Sequence, residues 1–355
     1  MGLRHPVDLA AWQRWDARRH VVRRSLGLVR RTATRAVGLV RRDDETASPL
    51  FLATRGERPP VAVMLESGAA SSVLALVAPV GRLAAAAVYA PFDPAPYLPG
   101  DGWVVRTVPG LDLARQLPDA GTVAAAGHYL PLGAAAFAQA SAQHRRFVVV
   151  QHGLLTPFAP PLPPGAHLLA WSQADADYWR SGRADVTSGV VGSQLLWEAG
   201  HDPAEPLTDE RPVFLGQLHG AELPRAGLTR AAVVFCRLSG ATYRPHPSER
   251  DRVSRLQHQA FERLGIEVDR TAVPLRDLAR PVAAAFSTGL LEAAARGLPA
   301  WAFYPSPPAW LRDFWARYGL SEWGAEPTPA PPQPAGEPAS VVARVLAGGD
   351  PRAVG

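Results

Sequence analysis

Lysine is absent from this chain of 355 residues, and all 37 of its basic side chains are arginine. That bias reads as codon composition. Cysteine occurs once, at Cys236, which excludes an intramolecular disulfide and any zinc site built on several thiolates. Outside Ala-rich segments that Gly and Pro interrupt, no uncharged apolar run reaches the 18 residues a membrane span requires. The N-terminus lacks an apolar stretch ending in a small-residue cleavage site, so no secretory signal is expected. These absences together point to the reducing cytoplasm.

Hydrophobic residues make up 47% of the chain, enough for packed cores and too many for a wholly disordered polymer. The length exceeds one ordinary core and suits two α/β domains. The net charge of +5 is unevenly placed. Residues 1–42 carry eleven Arg against Asp8 and Asp16, a local +9 that leaves −4 on the remainder. A basic arm on a mildly acidic body does not make the body a nucleic-acid binder.

Within that arm, residues 8–42 read as helix. Trp15, Val22, Leu26, Val29, Ala33, Val37 and Val40 recur at helical spacings, with Arg filling much of the rest. Such a helix can lie on anionic lipid, or dock its stripe on the body and leave its Arg in water. An anionic membrane surface, at the inner face, is therefore the expected partner if there is one, and nucleic acid is not. From residue 61 strand and helix patterns alternate: Val61–Leu65, Val104–Val108, Thr122–Ala126, Phe147–Val150, Leu168–Trp171 and Val186–Val191 read as strands. Ser172 is placed to cap a helix from Gln173. After a polar stretch the alternation restarts with strands at Val213–Leu215, Ala241–Arg244, Ile266–Val268, Val282–Phe286 and Ala300–Tyr304. Helices are expected over Leu228–Ser239, closed by Gly240, and from a Ser248 cap to Leu264. The fold class expected is α/β, with two Rossmann-like domains, a cleft between them and a basic amphipathic helix in front. The boundaries expected are 1–48 for the arm, 49–200 for an acceptor domain, 201–211 for a linker, 212–323 for a donor-nucleotide domain, and 324–355 for a Pro-rich segment and final helix.

Two motifs in the second half carry chemistry. Tyr243-Arg244-Pro245-His246-Pro247-Ser248-Glu249 leaves the carboxyl end of a strand, the edge where open α/β sheets bind ligands. The flanking prolines fix two φ angles and aim one imidazole, which can donate to a phosphate oxygen. Phe286-Ser287-Thr288-Gly289 again joins a strand end to a helix start, offering two hydroxyls and a glycine that lets a ligand come close. Glu292, one turn in, can accept from ribose hydroxyls. Gly216-Gln217-Leu218-His219-Gly220 occupies the position of a dinucleotide glycine loop without its spacing, and Gln217 or His219 can reach the donor.

With Leu291-Glu292-Ala293-Ala294-Ala295-Arg296-Gly297-Leu298-Pro299 following, these motifs resemble the GT-B glycosyltransferases. More narrowly they resemble the bacterial cytidine-nucleotide users: sialyltransferases, capsular Kdo transferases and CDP-glycerol glycerophosphotransferases. The resemblance implies that His246, Ser287 and Thr288 bind donor phosphates. In the first half, Gln151-His152-Gly153 resembles the His-Gly element of the glycerophosphotransferases, with Leu154-Leu155-Thr156-Pro157 in place of their Thr-Pro-Leu-Lys. Glu66-Ser67-Gly68 resembles the acidic-acidic-Gly motif of the sialyltransferases, with Ser67 at the second acidic position.

A displacement reaction needs a base for the acceptor proton. His152 and Glu66, each ending an apolar strand, are the candidates, with His128 a third. Asp175-Ala176-Asp177 looks like a metal-binding pair but falls in the first turn of an expected helix, where Asp serves the dipole. The function expected is a metal-independent transferase with no cofactor. It moves a sugar or glycerophosphate from a CMP- or CDP-linked donor to a glycan or lipid-linked acceptor of the cell envelope. Arg244, Gln217, Gly289 and Glu292 join the donor set. An epimerase or hydrolase for nucleotide sugars, and a non-catalytic nucleotide- or RNA-binding protein, are the alternatives.

Overall fold

The computed structural model describes residues 2–218, 220, 222–271 and 273–349, apart from 20–48. Most of the arm, from Val21 to Arg42, and His219 therefore lie outside the described residues. What is described divides into two compact units, one built of residues 2–13, 49–197 and 334–349, the other mainly of 198–333.

The first unit holds an eight-stranded sheet in the order β4-β1-β3-β2-β5-β6-β7-β8. Its strands are β1 Leu50–Arg55, β2 Val61–Met64, β3 Ala86–Ala90, β4 Val104–Val108, β5 Thr122–Ala125, β6 Arg146–Val150, β7 His167–Ala170 and β8 Thr187–Val190. β2, β3 and β5 to β8 run parallel, and only β1 runs against its two neighbours. Helices α2 Ala70–Leu76, α3 Leu113–Gln116, α4 Pro131–Ala142 and α5 Gln173–Arg180 connect these strands, while α1 Leu9–Arg19 before them and α6 Gln194–His201 after them each have residues in both units. Strand residues alternate between two cores, one on each face of the sheet. Met64, Tyr89, Val123 and Val149 meet Leu132, Ala136 and Trp179 on one face. Val63, Val88, Ala124 and Val148 meet Leu76, Val77 and Val80 on the other.

The second unit carries β9 Val213–Leu215, α7 Arg225–Ser239, β10 Thr242–Arg244, α8 Arg252–Arg263, β11 Val282–Ala284, α9 Gly289–Ala295, β12 Ala300–Ala302 and α10 Ala309–Arg317. Its four strands are all parallel, in the order β10-β9-β11-β12. Each unit is thus a Rossmann-like α/β arrangement. Gly240 closes α7 in the left-handed region at φ 67°, and Ser172 caps α5 by accepting from Asp175 N.

Several expectations are corrected here. β1 and β3 were not anticipated: Ala86–Ala90 is Ala-rich and reads as helix, yet it is a fully buried inner strand. Ser248 does not cap the next helix; Asp251 does, accepting from Ser254 N, and α8 begins at Arg252. Ile266–Val268 forms no strand, only a bridge from Val268 to Tyr243. The expected final helix is present as α11 Pro338–Leu346. Val341, Val342, Val345 and Leu346 sit in the first unit's core beside Leu76 and Val80, and Arg146 of β6 donates to the Val345 carbonyl at 2.6 Å.

The start of the chain is also part of the first unit. Leu3 is buried in its core, Arg4 N donates to the Pro157 carbonyl at 2.8 Å, and Asp8 caps α1 through Ala11 N. The first turns of the basic arm are therefore a brace on the body. Among the described residues no helix is long and apolar enough to cross a membrane.

Candidate functional site

Because β9, β10 and β11 are parallel, their carboxyl ends share one edge, and the loops leaving them carry Gln217, His246 and Ser287-Thr288. Gln217 Oε1 accepts from Phe286 N at 3.0 Å, which ties the first of these loops to the third. His246 lies exposed on the second, where Ser248 N donates to its Nδ1 at 3.1 Å. A nitrogen that accepts carries no proton, so Nε2 bears it and acts as a donor. Partial desolvation of the ring lowers the His246 pKa, and the nearby Glu249 carboxylate opposes this by raising it. With Nδ1 accepting, the Nε2–H is the donor this ring offers.

Ser287 Oγ accepts from Gly289 N at 3.1 Å, while Thr288, at the cap position of α9, makes no side-chain cap bond. Gly289 has a different reason from the one expected. A Cβ there would lie 2.7 Å from Leu215 and 2.8 Å from Leu275, so the glycine lets α9 pack onto β9. Glu292 is half-buried, and burial raises its pKa against the charges of Arg296 and Arg276. Arg244 points elsewhere: its guanidinium lies 3.3 Å from Asp269 and donates to the Val273 carbonyl. The structure therefore brings Gln217, His246, Ser287, Thr288 and Glu292 to one edge and commits Arg244 to a neighbouring loop.

In the first unit the carboxyl edge of the sheet carries Glu66, His128 and His152 after β2, β5 and β6. Glu66 spans the start of α4, with Oε1 accepting from Leu132 N at 2.7 Å and Oε2 from Gly133 N at 3.2 Å. Burial raises its pKa, and these two bonds oppose the rise. His152 differs: its Nδ1 is buried with no hydrogen-bond partner. Burial lowers its pKa against a hydrogen bond with the Val150 backbone, leaving a neutral imidazole able to accept a proton. His128 also has a buried, unpartnered Nδ1, and its pKa falls to about 4 through burial and the charge of Arg183.

Gln151, the residue before His152, organises this edge. Its Nε2 donates to the Gly153 carbonyl at 3.0 Å and to Asp175 Oδ2 at 3.1 Å. Trp171 donates to it twice, through its backbone N and its indole N–H, at 2.9 Å each. Asp175 is thus a buried acceptor for Gln151, and Asp177 accepts from Gln173. In the sequence Gln151 shows only as the first residue of Gln151-His152-Gly153 at the end of an apolar strand, with no sign of its partners Asp175 and Trp171.

No protein-family model matches the chain, and no curated protein matches it either. Among solved structures it is similar to the UDP-GlcNAc 2-epimerase of Methanocaldococcus jannaschii in complex with UDP-GlcNAc and UDP. That match has 12% identity over 67% of this chain and 78% of that one, with a TM-score of 0.46. It is also similar to HepE of Anabaena in complex with UDP-glucose, at 16% identity over 81% of this chain and 88% of that one, with a TM-score of 0.44. Likeness at this level carries no argument about function, which rests on the geometry above.

Proposed function

We propose that the chain is a transferase using a nucleotide-activated donor, with the donor phosphate bound at the carboxyl edge of the second unit's sheet. The observation that supports this most is the convergence of three strand-end loops bearing Gln217, His246 and Thr288, with the His246 proton held on Nε2. In a displacement, the bond between the transferred group and the nucleotide phosphate breaks and negative charge grows on the leaving phosphate oxygen. The His246 N–H and the Thr288 hydroxyl stabilise that charge. The acceptor hydroxyl gives its proton to a base, and His152, neutral with an uncommitted Nδ1, suits that role better than Glu66, whose oxygens hold α4. Glu292 remains placed for ribose hydroxyls. The donor is read as CMP- or CDP-linked from the Pro-His-Pro and Ser-Thr motifs. The acceptor is read as a cell-envelope glycan, with the arm on the inner face of the membrane.

The test is binding of CMP, CDP, UDP, GDP and ADP to the wild type and to His246→Ala. A hydrogen bond to a charged group contributes about 1.5–3 kcal/mol, so the variant should bind its nucleotide roughly 10- to 150-fold more weakly while staying folded. Equal affinity in the two proteins removes His246 from the site. Activity lost in EDTA and restored by Mg²⁺ contradicts the metal-independent mechanism. Nucleotide release without any acceptor reassigns the enzyme to epimerisation or hydrolysis.

A further inference from the structure

The Pro-His-Pro turn is held from beneath by a carboxylate with no access to solvent. Glu249 closes the turn by donating its backbone N–H to the His246 carbonyl at 2.8 Å, and its side chain is 0% exposed. Three groups converge on that side chain. Tyr243 Oη donates to Oε2 at 2.9 Å, His258 Nε2 lies 2.9 Å from the same oxygen, and Leu218 N donates to Oε1 at 2.9 Å. They come from three places in the fold: β10, α8 and the loop after β9. A carboxylate accepts only, so His258 presents a protonated Nε2 to it. Taking away the carboxylate leaves all three buried donors without this acceptor.

The packing around this node is tight. A Cβ on Gly216 would sit 2.3 Å from Tyr243 Oη and 2.8 Å from Glu249 Oε1, so only glycine lets the loop pass. Arg225, the first residue of α7, closes the other side by donating to the Leu218 carbonyl at 3.2 Å, Ser254 Oγ at 2.9 Å and Gln257 Oε1 at 2.9 Å. Asp251 also holds Ser254, at 2.5 Å.

From Glu249 the bonds run outward to each ligand-facing loop. Through Leu218 the node fixes Gln217, and Gln217 holds Phe286 N, next to Ser287. Through its own N–H it fixes the turn in which Ser248 N meets His246 Nδ1. We infer that Glu249 is a positioning residue: without touching the ligand, it sets the tautomer and placement of the His246 ring and ties them to the loops of Gln217 and Ser287. This rests on the reading of that edge as a nucleotide-phosphate site and adds the residue that organises it.

The experiment is ¹⁵N NMR of histidine-labelled full-length protein, with His246 assigned by loss of its signals in His246→Gln, alongside CDP titrations. In the wild type, the His246 signals should be those of an Nε2–H imidazole. In Glu249→Gln they should average between tautomers, and CDP affinity should fall at least tenfold. Tyr243→Phe keeps the carboxylate and two of its partners, and should shift the same signals less and weaken CDP two- to fivefold. A folded Glu249→Gln with wild-type His246 signals overturns the inference. If Glu249→Gln does not fold, unchanged His246 signals in Tyr243→Phe overturn it instead. If CDP binds to none of the proteins but the His246 signals change as stated, the positioning role stands and the nucleotide reading alone fails.

Discussion

The indole N–H of Trp12 donates to the carbonyl of Phe158 at 2.7 Å, across 146 residues of sequence. The same ring meets Tyr129 edge-on with centroids 5.5 Å apart, and Arg4 lies over the Phe158 ring at 4.5 Å. Trp12 therefore touches the loops that follow β5 and β6, the latter being the loop on which His152 lies. The basic arm thus begins docked on the first unit, and its Arg-rich sequence continues beyond the described residues.

That division sets the first prediction. Trp12→Ala should destabilise the protein by about 2 kcal/mol, below the roughly 3–5 kcal/mol of fully buried aromatic truncations because the ring is only half-buried. Exchanging Arg23, Arg24, Arg30, Arg31, Arg35, Arg41 and Arg42 for Gln should leave the melting temperature unchanged and abolish sedimentation with anionic vesicles. Wild-type protein that ignores such vesicles at low salt would end the membrane proposal.

A second prediction separates the two candidate bases. Glu66→Ala leaves two helix-start N–H groups unbonded and should cost about 1–2 kcal/mol of stability with turnover largely kept. His152→Ala should lower kcat by roughly 100-fold or more with little change in melting temperature. In the wild type, kcat should fall as acid protonates His152, below the ordinary histidine range because burial depresses its pKa. The opposite ranking of the two variants would make Glu66 the base.

His128 gives a prediction about pH and stability. Its folded pKa of about 4 lies below the 6.5 of an exposed histidine, so the unfolded chain takes up the proton first. The stability present above pH 6.5 should therefore decline as pH falls toward about 4, by as much as about 3 kcal/mol, and then level off. His128→Leu, which removes a buried unpartnered nitrogen beside Phe137, should raise the melting temperature at pH 5 and flatten that decline. Denaturant melts between pH 4 and 8 decide it; a profile identical in the variant would show that His128 is not the group responsible.

Gly289 distinguishes packing from ligand approach. Gly289→Ala pushes a methyl group into Leu215 and Leu275 and should cost about 1–3 kcal/mol in stability. A variant that melts like the wild type but binds nucleotide weakly would restore the ligand-approach explanation.

How much of this the sequence revealed follows from which signals are local. The strands around Val61–Leu65, Thr122–Ala126, Phe147–Val150 and Leu168–Trp171 were legible because each is an apolar run closed by turn residues, and Ser172 and Gly240 act within their own helices. Local rules failed where the partner was distant. Ala86–Ala90 has the composition of a helix and becomes a strand because its neighbours on both sides are strands. Glu249 looks like a solvated carboxylate at a helix start, and only the fold brings Tyr243, Leu218 and His258 onto it. The placement of His246, Ser287 and Thr288 at strand ends was legible because their strands end in turns. That Arg244 is committed to Asp269 was not, because the pairing depends on how the 269–273 loop folds back.

The packing of α11 on the first unit has a consequence for the order in which the chain can fold. The ribosome delivers residues 49–197, then the whole of 198–333, and only afterwards the helix that covers Leu76, Val77 and Val80. During synthesis the second unit can close while the first waits with an apolar face uncovered. A premature stop just before residue 338 would thus leave the strand-end loops of the second unit intact and cripple the unit made earliest.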